Sequence, residues 1–217
     1  MTTRRPLPRG LYLVTPDWDD SARLMTAVEA ALAGRPAMLQ YRNKTADAPR
    51  RLAQALGLRA ACRRAGVPFI VNDDLELALH VDADGVHLGR DDGALDAARE
   101  RLGADRILGV TCYNELPRAD MAVKLGADYV AFGAMYPSPT KPQAVAATPA
   151  LLGAARARFG VSVAAIGGIT ADNAAPLIAA GADLLAVVSD VFMAADVTAR
   201  AAAYRALFDA TRPPQSP

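Results

Sequence analysis

The stretch Gly126-Ala127-Asp128-Tyr129-Val130-Ala131-Phe132-Gly133 decides how the chain is read. Its centre is a short apolar run bounded by Asp and Gly, too short for a helix and suited to a strand buried on both faces. Its opening phrase recurs: Gly103-Ala104-Asp105, Gly126-Ala127-Asp128 and Gly181-Ala182-Asp183 each follow an amphipathic segment and precede an apolar one. Gly fits the left-handed position that ends a helix, so the phrase reads as a repeated helix-to-strand turn. The turn itself is assigned no function. It supports a repeated αβ unit.

Working outward, strands are predicted at Gly10–Thr15, Ala37–Tyr41, Phe69–Val71, Gly85–Leu88, Ile107–Val110, Tyr129–Gly133, Val163–Ile166 and Leu184–Val188. Helices are predicted at Ser21–Ala33, Asp47–Ala65, Leu75–His80, Gly93–Leu102, Glu115–Leu125, Pro149–Phe159, Asp172–Ala180 and Ala195–Phe208. The second has Pro49 in its first turn and Leu52, Leu56 and Ala60 on one stripe. Eight strands alternating with helices, with no long insert, predict an α/β fold: a single (β/α)8 TIM barrel. An open doubly wound sheet is the rival. It requires a Gly-rich dinucleotide loop after an early strand, and Thr15-Pro16-Asp17-Trp18 is not one. The expected organisation is an N-terminal extension (1–9), a barrel domain (10–210) and a disordered tail (211–217).

The 217 residues are 52% hydrophobic with a formal charge of +1, enough for one sizeable core. Near-neutral charge gives no electrostatic case for nucleic acid or an anionic membrane. No apolar run reaches the about 18 residues of a membrane helix. Arg4 and Arg5 have no apolar segment behind them, so no signal peptide is expected. Cys62 and Cys112, two and far apart, suggest neither disulfide nor zinc. A cytoplasmic setting is the expectation, with a homo-oligomer left open.

In such a barrel the active groups lie at the C-terminal strand ends. There the chain places Gln40-Tyr41-Arg42-Asn43-Lys44, Asn72-Asp73-Asp74, Gly89-Arg90-Asp91-Asp92, Thr111-Cys112-Tyr113, Met135-Tyr136-Pro137-Ser138-Pro139-Thr140-Lys141, Gly167-Gly168-Ile169-Thr170 and Val188-Ser189. Arg42, Lys44 and Lys141 are cationic; Asp73 and Asp92 are anionic and come from neighbouring strands. Such a set reads either as plain ion pairs or as a Mg²⁺–diphosphate site, in which hard oxygens leave room for substrate phosphates. Pro137 and Pro139 make the strand 6 loop stiff, and it carries two hydroxyls and an ammonium. Gly167-Gly168 before a helix start at Thr170 reads as a tight turn or as a second anion site. His87 is read as a structural hydrogen-bonder, Asp74 as a helix cap, Cys112 as a site-lining residue, and Arg50, Arg51, Arg63 and Arg64 as solvated.

Gln40-x-Arg42-x-Lys44, Asn72-Asp73, Gly85-Val-His-Leu-Gly89-x-x-Asp92, Gly109-Val-Thr111, Tyr136-Pro-Ser-Pro-Thr-Lys141, Ile166-Gly-Gly-Ile169 and Val188-Ser189 together resemble the thiamine phosphate synthase (thiamine-phosphate pyrophosphorylase) family. The resemblance runs through nearly the whole chain in order. It implies a transferase of thiamine biosynthesis. This would join hydroxymethylpyrimidine diphosphate to 4-methyl-5-(2-phosphoethyl)thiazole, releasing diphosphate. By the same resemblance Gln40, Tyr41, Arg42, Asn43, Lys44, Asn72, Thr111 and Lys141 would meet the pyrimidine diphosphate, with Lys44 and Lys141 catalytic. Asp73 and Asp92 would hold Mg²⁺. Ser138, Pro139, Thr140, Gly168, Val188 and Ser189 would surround the thiazole phosphate. Partners would be these small molecules, with no nucleic acid and no membrane.

Five departures stand out. Arg90 replaces a frequent Gln, Tyr113 a frequent His, Thr111 the commoner Ser and Asn43 a frequent acid, and Pro142-Gln143-Ala144 is atypical. Two other functions compete: a thiazole tautomerase, which would use a His where Tyr113 stands, and a non-catalytic phosphate-ligand binding barrel.

Overall fold

The structure is a computed structural model and describes residues 7–137 and 145–211. The expectations for residues 1–6 and 212–217, and those for Ser138, Pro139, Thr140 and Lys141, lie outside the described residues. Eight parallel strands close into a barrel in sequence order: β1 Gly10–Val14, β2 Met38–Tyr41, β3 Phe69–Asn72, β4 Gly85–Leu88, β5 Ile107–Tyr113, β6 Tyr129–Phe132, β7 Ser162–Ile166 and β8 Leu184–Val187, with β8 pairing back to β1. This is the expected (β/α)8 barrel. The helices are α1 Ser21–Ala33, α2 Ala48–Ala65, α3 Leu75–His80, α4 Leu95–Leu102, α5 Leu116–Lys124, α6 Pro149–Arg158, α7 Ala175–Ala179, α8 Ser189–Phe192 and α9 Val197–Ala210.

Side-chain alternation along the strands divides the core in two. Outward residues such as Leu11, Leu13, Leu39, Tyr41, Phe69 and Val71 pack under the helices. Inward residues form a second cluster that includes Tyr12, Val14, Met38, Ile70, Tyr129, Ala131, Ala164 and Leu184. Inside the barrel Gly109 is required by packing, because a Cβ there would stand 1.9 Å from the Tyr129 ring.

Two of the three Gly-Ala-Asp turns have a structural job the sequence reading missed. Gly103, Gly126 and Gly181 all adopt positive φ, as expected. Asp128 accepts from the Leu108 amide at 2.8 Å and from Arg99 at 2.6 Å. Asp183 accepts from the Val163 amide at 3.0 Å and from Arg156 at 3.2 Å. Asp84 repeats the pattern with the Phe69 amide at 2.8 Å and Arg59 at 3.0 Å. Each carboxylate therefore satisfies an amide at the base of the preceding odd-numbered strand and ties it to a helix arginine. This bottom end is built for stability, leaving the top for chemistry.

Three elements depart from expectation. β5 runs on through Tyr113, with irregular pairing between Thr111 and Tyr113. The helix expected over Asp172–Ala180 is confined to Ala175–Ala179. Asn173 takes the Thr170 amide on Oδ1 at 2.8 Å and donates to the Gly168 carbonyl at 3.0 Å, making a turn instead of a helix start. The further short helix α8 follows β8 where only a loop was expected.

Candidate active site

Three of the charged residues singled out from the sequence, Lys44, Asp73 and Asp92, meet at the C-terminal ends of β2, β3 and β4. Lys44 Nζ lies 3.1 Å from Asp73 Oδ2. Asp92 Oδ2 accepts from the Gly89 amide at 2.7 Å, and its carboxyl is in hydrogen-bonding contact with Asp73. Burial, that hydrogen bond and the nearby Asp73 charge raise the Asp92 pKa above the ordinary carboxylate value, while Lys44 opposes them. Two carboxylates this close repel unless a proton or a cation lies between them. Asp73 holds its place in the left-handed region, φ 63°, with its amide donating to the His87 carbonyl at 2.8 Å.

Beside this cluster a cavity of about 270 Å³ is lined by Asn43, Lys44, Arg51, Asn72 and Asp73 among others. Arg51 is thus at the site. Its guanidinium pairs with Asp74, so it is not the solvated residue expected. Asp74 caps α3, as expected, accepting from the Leu77 amide at 2.9 Å.

The β2 loop is held by residues the sequence reading did not single out. Asp17 pairs with Arg42 Nη1 at 2.6 Å and accepts from the Lys44 amide at 2.9 Å. Thr15 Oγ1 lies 2.8 Å from both the amide and the carbonyl of Arg42. The polar Thr15-Pro16-Asp17 at a strand end was the available signal.

Tyr41 and Asn43 both line that cavity, and their side chains also make bonds within the fold. Tyr41 faces α2 and donates its hydroxyl to Gln54 at 2.8 Å, as alternation dictates for a neighbour of inward Gln40. Asn43 donates to Trp18 O and Gln54, and its Oδ1 accepts from the amides of Thr45 and Ala46, which shapes the Lys44 loop. Cys112 does not line the site. It is outward and buried, with burial pushing its thiol up to about 12, whereas inward Thr111 faces the interior.

Arg90 does not add a free cation. It pairs with Glu115 at 2.5 Å and its guanidinium lies 5.0 Å from the Tyr113 ring centroid.

Inside the barrel, the inward polar groups join. Gln40 Nε2 donates to Tyr12 Oη at 2.6 Å, and Tyr12 Oη lies 2.6 Å from Tyr129 Oη. Tyr129 Oη lies 2.8 Å from His87 Nδ1, and His87 Nε2 lies 2.7 Å from Thr111 Oγ1. His87 is a structural hydrogen-bonder, as read from the sequence. Burial pushes its pKa down to about 4, against a smaller upward pull from Asp73.

On the opposite rim, Gly168 adopts φ 62°, and a Cβ there would stand 2.6 Å from the Pro137 carbonyl. Met135 and Tyr136 donate their amides to Ile166 and Gly167, both at 3.0 Å. The described part of the strand 6 loop thus lies against the end of β7, and it leaves at Pro137 beside Gly168. Gly167 and Gly168 both adopt positive φ, and the strand 6 loop packs closely against them. The helix start expected at Thr170 is replaced by the Asn173 turn. Val188 packs against the inner cluster and precedes α8, whose first residue is Ser189.

Residues 11–191 match the thiamine monophosphate synthase family. The chain is 66% identical over 202 residues to the thiamine-phosphate synthase of Aromatoleum aromaticum, covering 93% of this chain and 97% of that one. It is 64% identical to that of Azoarcus sp., over 92% of this chain and 97% of that one. The solved thiamine phosphate pyrophosphorylase from Pyrococcus furiosus superposes with a TM-score of 0.83 at 32% identity, covering 94% of this chain and 96% of that one. With its barrel closed and its charged rim at the C-terminal strand ends, the chain belongs to the thiamine monophosphate synthase family.

Proposed function

We propose that this chain condenses hydroxymethylpyrimidine diphosphate with 4-methyl-5-(2-phosphoethyl)thiazole to give thiamine phosphate and diphosphate. The observation that carries the reading is the Lys44–Asp73–Asp92 cluster at neighbouring strand ends of a chain of this family. Adjacent carboxylates with a cation beside them are a poor way to stabilise a fold and a suitable way to meet a metal-bound diphosphate. Among the described residues no group of three or more His, Cys, Asp or Glu is placed to hold a metal. Two carboxylates suffice for Mg²⁺, which takes one or two from the protein and the rest from water and phosphate. Asp73 and Asp92 would hold it, and it would supply neutralisation of charge on the departing diphosphate.

The chain's own residues would do the following. Lys44, with Lys141 from the strand 6 loop, would stabilise the leaving diphosphate, and Arg42, set by Asp17, would bind it. Gln40, Asn72 and Thr111 would orient the pyrimidine. Departure of diphosphate leaves a pyrimidine-methyl cation, which the unprotonated thiazole nitrogen attacks. No proton need be removed from the nucleophile, so no general base is needed. The bonding of His87 at both ring nitrogens suits that chemistry. Ser138, Pro139, Thr140, Gly168, Val188 and Ser189 would bind the thiazole phosphate, bringing the two substrates into contact across the barrel mouth.

A tautomerase reading has less support. Where it needs an acid–base His stands Tyr113, its ring beside Arg90 and Arg118. The test is incubation of purified protein with both substrates and Mg²⁺, with product separated by chromatography. Thiamine phosphate formed only when both substrates are present is expected. Conversion of a thiazole isomer alone would favour the tautomerase.

A further inference from the structure

Five inward side chains span the barrel interior in an unbroken line from Gln40 on β2 to Thr111 on β5. Their hydrogens can be counted. Gln40 Nε2 only donates, so Tyr12 accepts from it and gives its own hydrogen to Tyr129, 2.6 Å away. Tyr129 then has His87 Nδ1, at 2.8 Å, for its hydrogen. An imidazole that accepts on Nδ1 carries its hydrogen on Nε2, which gives it to Thr111 Oγ1 at 2.7 Å. A doubly protonated ring would leave one phenolic hydrogen without an acceptor. Among the described residues the Thr111 hydroxyl hydrogen has no protein acceptor. It is the free end of the line.

We propose that this line is a one-way hydrogen-bond chain that holds His87 as the neutral Nε2–H tautomer and presents the Thr111 hydroxyl as a donor to a ring nitrogen of the bound pyrimidine. Tyr12, Tyr129 and His87 are then positioning residues for a substrate they do not touch. The ligand half rests on the proposed function; the tautomer half does not. Barrel interiors are usually filled with branched aliphatic side chains, as Val14, Ile70 and Leu184 fill part of this one. Buried hydroxyls and an imidazole are costly there unless every bond is made. Here every bond within the line is made, and both of its ends are residues that the proposed function sets against the pyrimidine. Gly109 makes room for the central ring: a Cβ there would collide with Tyr129.

The test has two arms. The chain has two histidines, so side-chain ¹⁵N NMR of the unaltered protein gives two rings, and His80→Gln assigns them. Protonated Nε2 and bare Nδ1 on His87 at neutral pH are expected; the opposite tautomer or an imidazolium overturns the chain. In kinetics, Tyr129→Phe keeps the ring and removes the relay. It should raise KM for the pyrimidine diphosphate roughly tenfold with KM for the thiazole phosphate unchanged. Thr111→Val should do the same, and the double variant should be no worse than Thr111→Val alone. Equal changes in both KM values, or additive losses, would mean a structural role only and overturn the positioning claim. An unaltered protein with no synthase activity would overturn the proposed function and the ligand half together, while the NMR arm still decides the chain.

Discussion

Lys44 Nζ stands 3.1 Å from Asp73 Oδ2, so a cation from the β2 loop is held by a carboxylate from the end of β3. The pair is half exposed, and an exposed pair of this kind adds little to stability. Its proposed use is at the barrel mouth, in stabilising the leaving diphosphate. Lys44→Ala is expected to lower kcat by about 10²–10³-fold, the usual cost of one charge stabiliser, with thermal stability almost unchanged. A stability loss with unchanged kcat would reverse the assignment.

Asp73 and Asp92 are expected to show their role through metal dependence. Chelation with EDTA should abolish turnover and added Mg²⁺ should restore it. Asp73→Asn keeps a residue that tolerates the left-handed backbone at φ 63° while removing one charge. It should shift the Mg²⁺ concentration for half-activity upward, by about tenfold or more. A variant with an unshifted Mg²⁺ curve would remove Asp73 from the metal site.

His87 makes a pH prediction. Its pKa is about 4 in the fold against an ordinary 6.5, so between those values the unfolded chain binds the proton and the folded chain does not. The stability it permits is fully present above pH 6.5 and falls as the pH drops towards 4, by about 1.4 kcal/mol per unit. Urea unfolding of the parent and of His87→Gln from pH 7 to 4 should show a shallower slope in the variant. Parallel curves would mean that the buried ring is not the cause.

Gly109→Ala is expected to damage both fold and site, because the added Cβ would enter the Tyr129 ring space. Overpacking of this kind costs about 1–3 kcal/mol, and displacement of Tyr129 breaks its contact with His87. Denaturant melts together with KM for the pyrimidine substrate check both effects.

Asp128→Ala should behave in the opposite way from the rim variants. Asp128 sits at the bottom of the barrel, receiving the Leu108 amide and Arg99. Its loss leaves a half-buried guanidinium and a strand amide without that partner, a cost of about 3 kcal/mol or more. Activity of the remaining folded protein should be unaltered when measured well below its melting point.

Most strand bounds were legible to within one residue, because strands buried on both faces write themselves as apolar runs between polar turns. β5 was not, because Thr111-Cys112-Tyr113 is polar enough to look like loop while its backbone stays paired. The helix after β7 was overdrawn, because Asn173 folds its side chain back onto the Thr170 amide and the Gly168 carbonyl to make a turn. Residue type and strand-end position were enough to expect Lys44, Asp73 and Asp92 together at one end of the barrel. Which way a side chain points was not read, although alternation already puts Tyr41 and Cys112 on the face opposite Gln40 and Thr111. The supports were harder still. Asp17, Tyr12 and Tyr129 matter through partners 25, 28 and 42 residues or more away, and no local pattern marks such pairs.

The most direct test of the central claim is ³¹P NMR of the two substrates, Mg²⁺ and purified protein in one tube. Thiamine phosphate and inorganic diphosphate should appear in equal amounts as the pyrimidine diphosphate disappears, and neither should appear when the thiazole phosphate is omitted. Diphosphate released without thiamine phosphate, or no change in any phosphorus signal, would contradict the account.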